Sequence, residues 1–389
     1  MHMRLANFRT RVFSGDREGF YQIKNARVLI YFPHGFGDWV QLSYVLPLLE
    51  PSNRYWITRI GDDNVSVLEG NTYVTPVYLG SNVVSERWDN TRHLGLDGQF
   101  LDGALGYLCV PPSLYELCSQ NHIDVVFWTE FPETSGHTAP PFQSKARNMI
   151  RLIASPRSAV TNLLRPLRSS ISFEVIPWLQ QWVEARLKNW IGFGERKLCI
   201  IGRTGYTSVG KNWGHLWRND LPIGSRREGE ECRDFMRLML RKDPHWAFLS
   251  IEDRIFEGEH TVRDPELHAY SFAELFGAAT SCKVPFGILM KALIRAANLL
   301  VGVPAGPYHL AMANADIPTI GLWIEHLPAW FDEPKACSVH LVSRNVRERG
   351  LDRRPGSIAA SSEMAFRMTF VHTRIITGEQ VMEAAASLL

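Results

Sequence analysis

The chain has no surplus of charge of one sign. Its 389 residues carry 42 Lys and Arg against 40 Asp and Glu, a net charge of +2, whereas a dedicated nucleic-acid binder carries a strongly basic footprint. It also lacks any apolar run approaching the roughly 20 residues that a membrane helix needs. Its opening stretch, MHMRLANFRTRVFSGDREGF, contains no apolar block of signal-peptide type. From these absences we expect a soluble, cytoplasmic protein with no nucleic-acid partner. Cysteine is scarce and scattered. Cys109, Cys118, Cys199, Cys232, Cys282 and Cys337 form no Cys-x-x-Cys pair and have no nearby His at zinc-ligand spacing, which points to idle thiols in a reducing compartment and to no metal site. There is no repeat of fixed period and no low-complexity tract.

What is present is an ordinary globular balance, 45% apolar and 21% charged. At roughly 150 residues per domain, the length suits two or three domains. Short apolar runs alternate with helical patterns: RVLIYF (27–32), YWITRI (55–60), IDVVFW (123–128), KLCIIG (197–202), WAFLSI (246–251), NLLVGV (298–303) and PTIGLW (318–323). Near-continuous apolar strands separated by helices predict an α/β fold with parallel sheets covered on both faces. The series restarts after residue 190, so we expect two Rossmann-like domains, 1–178 and 190–376, joined by a segment that turns helical near Pro177. The tail TGEQVMEAAASLL reads as a helix with Thr377 as its cap and Gln380 at the capping-box position. This helix, 377–389, is left free to pack back on the N-terminal domain.

Three strand-to-helix turns can carry chemistry. The first, YFPHGFGDWV, follows the 27–32 strand and holds His34, Gly35, Gly37 and Asp38. A dinucleotide fingerprint needs a third glycine where Val40 stands, and Asp38 would set negative charge against a pyrophosphate. Asp38 has two readings: a helix cap, or a general base in a cleft that the glycines open to a substrate. The second turn, RTGYTSVGKNW (203–213), offers Arg203, Thr204, Thr207 and Ser208 with Lys211 as a point charge for a diphosphate. Its Gly205–Lys211 spacing matches a P-loop, but Asn212 stands where that loop places a Ser or Thr for magnesium. A solvated loop carrying an incidental lysine is the alternative there. In the third turn, VGVPAGPYHLAMANADIPTIGLW (301–323), Pro307 suits the first turn of a helix that begins near Gly306, with its N-terminus set for an anion and His309 close by. A His309 that faces the core is the plainer alternative there.

In this order the three turns resemble glycosyltransferase family 9, the ADP-heptose heptosyltransferases of the GT-B fold. Gly37-Asp38, Lys211-Asn212-Trp213, and Gly306, His309 and Leu310 followed by Pro318-Thr319 carry the resemblance, in three islands. The resemblance implies two Rossmann-like domains with parallel sheets facing an interdomain cleft. It implies an inverting, metal-independent transfer of a sugar (heptose or related) from a nucleotide-diphosphate donor to an acceptor hydroxyl. Asp38 is then the base, and Arg203, Thr204, Thr207, Lys211, Gly306 and His309 bind the donor diphosphate. Glu252 falls near the ribose, Val284 and Pro285 near the base, and His34, Gly35 and Gly37 on the acceptor side. The donor is a co-substrate, with an ADP-sugar favoured, and no further cofactor is implied.

The chain departs from the family at Pro304-Ala305, where the family has Asp-Thr. A carboxylate and a hydroxyl expected on the donor sugar are missing, which weakens the case for heptose. Two alternatives stay open. One is a catalytically inert, sugar-nucleotide-binding GT-B protein. The other is a P-loop-type nucleotide-binding enzyme on Gly205–Lys211, for which Asp253 is the obvious magnesium ligand. The acceptor, whether saccharide, glycolipid, protein or small molecule, is not named by the sequence. The basic stretch with Lys145, Arg147, Arg151, Arg157, Arg165 and Arg168 is either a solvated excursion or a flap for an anionic acceptor or for peripheral contact with the inner face of a membrane.

Overall fold

The computed structural model describes residues 3–4, 9–13, 23–32, 35–60, 64–79, 107–108, 112–129, 146, 167–191, 194–202, 213, 230–251, 264–277, 284–324, 326–328, 332–348 and 366–389. The chain divides into two compact units, one of Met1–Ala139 with Ala146–Ser172 and one of Pro140–Lys145 with Phe173–Leu389.

The first unit contains strands β1 (Met3–Arg4), β2 (Arg9–Phe13), β3 (Arg27–Tyr31), β4 (Arg54–Ile60), β5 (Thr75–Leu79), β6 (Tyr107–Leu108) and β7 (Val125–Thr129). Five of them form one sheet in the order β2-β7-β3-β4-β5, all parallel, while β1 and β6 form a separate antiparallel pair. Val28, Leu29, Ile30 and Tyr31 of the central β3 are all buried, as a strand covered on both faces requires. From β3 the chain moves outward through β4 and β5, then returns to β7 on the other side of β3. The order reverses between β3 and β7, and in open α/β sheets ligands bind beyond the carboxyl ends of the strands at such a reversal.

The second unit repeats that plan with strands β8 (Lys197–Gly202), β9 (Trp246–Ser250), β10 (Ala269–Ser271), β11 (Leu299–Gly302), β12 (Thr319–Trp323), β13 (Ser338–Val342) and β14 (Met368–Phe370). They form one parallel sheet in the order β10-β9-β8-β11-β12-β13-β14, which reverses between β8 and β11. The C-terminal helix Gly378–Ala386 begins with the expected capping box of Thr377 and Gln380. It lies on helix Glu230–Lys242 within this second unit. Gly378 N–H donates to Glu231 Oε2 (2.9 Å), and a Cβ on Gly378 would come within 2.6 Å of the Glu231 carbonyl oxygen. Val381, Ala384 and Ala385 join the core beneath. Backbone contact of this closeness explains why the helix stays with its own unit.

A polar network is buried at β12 and β13, on the face of the sheet opposite that core. His340 is fully buried, and burial pushes its imidazole down to about 4, so the ring is neutral. Trp323 Nε1–H can only donate, and it reaches His340 Nδ1 at 3.0 Å. The proton of His340 therefore sits on Nε2, which donates to Ser338 Oγ (3.1 Å), whose hydroxyl donates to the Lys335 carbonyl (2.8 Å). Tyr308 OH donates to the same Nδ1 at 3.1 Å, tying helix Gly306–Ala313 to the sheet. Gly321 makes room for all three groups. A Cβ there would lie 2.6 Å from Trp323 Nε1, 2.7 Å from Tyr308 Oη and 2.8 Å from His340 Nδ1. Gly321→Ala is expected to lower the unfolding free energy by about 1–3 kcal/mol, the usual penalty of overpacking. It should appear as a lower denaturant midpoint with an unchanged slope; an unchanged midpoint would show that the network does not fix the helix.

Candidate functional site

At the reversal of the second sheet, two glycines end neighbouring strands. Gly202 of β8 pairs in register with Gly302 of β11. A Cβ on Gly302 would stand 3.3 Å from the Gly202 carbonyl oxygen and 3.5 Å from Tyr308 Cβ. The strand ends are bare of side chains where a ligand approaches an α/β sheet. After β11 the chain turns through Pro304 and Ala305 into helix Gly306–Ala313. Ala305 is the N-cap, without a side-chain cap bond, and Pro307 occupies the second helical position. The N–H groups of a first helical turn have no intrahelical partner and attract anions. In this turn Pro307 has no N–H to offer.

His309, the next residue, is buried, and its Nδ1 lies 2.8 Å from Oδ1 of the equally buried Asp332. Sequence reading named His309 but not this partner. The same short segment, Asp332–Lys335, holds the other end of the helix. Lys335 Nζ donates to the carbonyl oxygens of Ala311 (2.8 Å) and Ile317 and to Thr319 Oγ1 (2.9 Å). The carbonyl end of a helix carries partial negative charge and favours a cation. Burial nevertheless dominates and pushes the Lys335 ammonium down from 10.5 to about 8. Nothing in DEPK itself distinguishes a buried clamp from an exposed charged loop, so both charges escaped the sequence reading.

In the first unit, Asp38 is the third residue of helix Phe36–Ser43, and the N-cap is Gly35 (φ −71°, ψ 166°). The capping reading of Asp38 is therefore corrected: its backbone N–H donates to Gly35 O (2.9 Å), and its carboxylate lies in the first turn instead. Phe32 at the end of β3 and Trp39 after Asp38 are both fully buried and meet edge to face at 5.2 Å. Those two rings fix the turn from both sides and leave Gly35 exposed, with Gly37 and Asp38 half-buried. Ser170 closes the helix from behind, its N–H and hydroxyl both donating to Ser43 O at 3.1 and 2.7 Å.

Of the remaining residues named from sequence, Val284 and Pro285 are half-buried at the start of helix Phe286–Ala296, with Pro285 as its N-cap. His34, Arg203, Thr204, Thr207, Ser208, Lys211, Glu252 and Asp253 lie outside the described residues, as does most of the basic 145–168 stretch. Trp213, which closes the Lys211 loop, is buried and donates from Nε1 to Ile376 O at 2.8 Å. Among the described residues no group of three or more His, Cys, Asp or Glu is arranged to hold a metal, and no helix is long and apolar enough to cross a membrane.

No family model and no curated protein matches the chain. Solved structures do. A glycosyl transferase family 9 protein from Veillonella parvula superposes with a TM-score of 0.55 at 14% identity, over 94% of this chain and 98% of its own. The ADP-heptose lipopolysaccharide heptosyltransferase II of E. coli gives 0.56 at 13% identity, over 93% and 98%. The chain has their fold. The resemblance carried by three short islands thus extends, as a likeness of fold, over nearly the whole chain, and the GT-B class expected from it stands.

Lys335 gives this fold a testable signature. Below about pH 8 the folded state holds a buried charge that the unfolded chain keeps in water. Between about 8 and 10.5 the folded state has released that proton while the unfolded state still binds it, so stability rises with pH across the window. Wild type should therefore gain stability relative to Lys335→Met as pH rises from about 8 to 10.5, read by urea unfolding. Parallel pH curves for the two proteins would contradict a buried, charged clamp.

Proposed function

We propose that the protein is an inverting, metal-independent glycosyltransferase. It moves a sugar, heptose or a related one, from a nucleotide-diphosphate donor to an acceptor hydroxyl. The observation that carries this reading is the placement of the first and third turns. Each opens a helix beyond the strand at which its own sheet reverses order: Asp38 after β3 in one unit, Gly306 after β11 in the other. Asp38 takes the proton of the acceptor hydroxyl as it attacks the anomeric carbon. Positive charge on Lys211, with the N–H groups that open helix Gly306–Ala313, stabilises the departing diphosphate. An ADP-sugar is the favoured donor. The acceptor is a saccharide, glycolipid, protein or small molecule, and the basic 145–168 stretch suits an anionic acceptor or a membrane surface.

A second reading, a sugar-nucleotide binder without catalysis, is favoured by one feature: Pro304-Ala305 offers the donor sugar no polar side chain. Turnover separates the two. Asp38→Asn removes the proton acceptor but keeps shape and hydrogen bonding. It should lower turnover by roughly 10²–10⁴ while donor affinity holds, and the lost first-turn charge should cost stability about 0.3–1 kcal/mol. Lys211→Ala should instead weaken nucleoside-diphosphate binding by about 1.5–3 kcal/mol, one charge-assisted contact. Near-normal turnover in a folded Asp38→Asn protein ends the catalytic role of that carboxylate. Unchanged nucleotide affinity by calorimetry removes Lys211 from the site.

A further inference from the structure

We propose that helix Pro177–Ile191 pairs with the same helix of a second copy of this chain, through a ridge formed by Trp178, Trp182, Arg186 and Trp190. The contact makes the protein a dimer about a two-fold axis and involves none of the residues assigned to sugar transfer.

In this helix every fourth residue from Leu179 is buried: Leu179, Val183, Leu187 and Ile191. That row fixes the helix to its own unit. The residues one position earlier, Trp178, Trp182, Arg186 and Trp190, form a second row beside it, since residues four apart lie on one face. The middle of this second row is held. Trp182 packs on Phe276 with ring centroids 5.6 Å apart, and the Arg186 guanidinium lies 5.6 Å from the Trp182 centroid. Its ends stand out: Trp178 is 56% and Trp190 43% exposed, and Ile176, just before the helix, is 55% exposed. Among the described residues only six large apolar side chains are exposed, and these are three of them. Scattered singly, such residues need no account, but a cluster on one helix marks an interaction surface.

The ridge is complementary to itself. Turned about a two-fold axis level with Glu184, the order Trp-Trp-Arg-Trp faces Trp-Arg-Trp-Trp. Trp178 then meets the partner's Trp190, and Trp182 meets the partner's Arg186. Both contacts repeat on the other side of the axis, as an isologous interface requires. A planar, weakly hydrated guanidinium stacks on aromatic faces, so each Arg186 serves the indole across the axis as well as its own. No acid interrupts this face. Glu184 lies two residues from both Trp182 and Arg186, hence on the opposite side of the helix, where it accepts a hydrogen bond from Gln180 Nε2 (2.9 Å). Tryptophan and arginine without lysine or glutamate is the composition of an interface core between proteins. A helix that lies on a membrane instead carries several basic residues on its polar face and buries its whole apolar side in lipid. Here the aliphatic row is already buried within the protein, and the ridge offers one cation.

The test is sedimentation velocity of the full chain from about 1 to 100 µM, the range in which a modest interface associates. Wild type should shift from monomer to dimer. Trp178→Ala combined with Trp190→Ala should stay monomeric with its circular dichroism unchanged, and Arg186→Gln should weaken association about tenfold. A short bismaleimide reads the register. Beyond the wild-type background from native cysteines, it should join Trp178→Cys to Trp190→Cys in a mixture and should join neither variant to itself. A wild type that stays monomeric throughout would overturn the inference, as would a dimer that survives the double alanine variant. Cross-linking of Trp178→Cys alone as strong as that of the mixture would overturn it too. Vesicles of phosphatidylglycerol complete the test. Binding by the wild type that the double alanine variant loses would assign the ridge to a membrane surface instead; no binding, beside a concentration-dependent dimer, supports the pairing of two copies.

Discussion

Helix Gly306–Ala313 is fixed at its two ends by a single four-residue segment. Asp332 holds His309 near the start and Lys335 holds the Ala311 carbonyl near the end, while Tyr308 is tied to His340 in the sheet below. Burying an ammonium is costly, and the downward push on Lys335 records that cost. Its three oxygen acceptors offset part of it by satisfying the ammonium's three N–H bonds. What results is a short helix whose N-terminus cannot drift from the ends of β8 and β11. A site that binds an anion through backbone groups needs such rigidity, because backbone donors cannot re-aim as side chains do.

The first unit reaches a similar result by apolar means. Phe32 and Trp39 pack edge to face across the turn, and Ser170 closes the far end of helix Phe36–Ser43. Asp38 lies between these fixed points, in the first turn of a helix already begun by Gly35. A carboxylate in a first turn is favoured by the helix dipole.

All seven apolar runs picked out in the sequence form strands, since four or more consecutive apolar or β-branched residues bounded by turn residues leave little ambiguity. The strands that escaped notice each lack that signal. Ser338–Val342 carries Ser338 and His340 inside a fully buried strand, legible only once the Trp323 and Tyr308 partners are known. Ala269–Ser271 and Met368–Phe370 are three residues long. Thr75–Leu79 holds Pro76, which the edge position of β5 tolerates. The turns at Asp38 and Gly306 were legible because glycine, proline and an acid mark them. Asp332 and Lys335 were not, because their burial depends on a helix that comes before them in the chain. Glycines 302 and 321 were also silent, since the Gly202 carbonyl in one case and the Tyr308 and His340 side chains in the other lie far away in sequence.

The departure at Pro304-Ala305 leaves the proposed donor site unusually reliant on the backbone and on His309, and it makes nucleotide recognition the central claim. Thermal unfolding with ADP-, GDP-, UDP- and dTDP-sugars, each with and without a magnesium chelator, tests that claim most directly. At a ligand concentration about 100 times the dissociation constant, binding adds roughly 2.7 kcal/mol. The account predicts a raised midpoint with at least one of the four, undiminished by the chelator. A midpoint unmoved by all four, or moved only when magnesium is present, would contradict it.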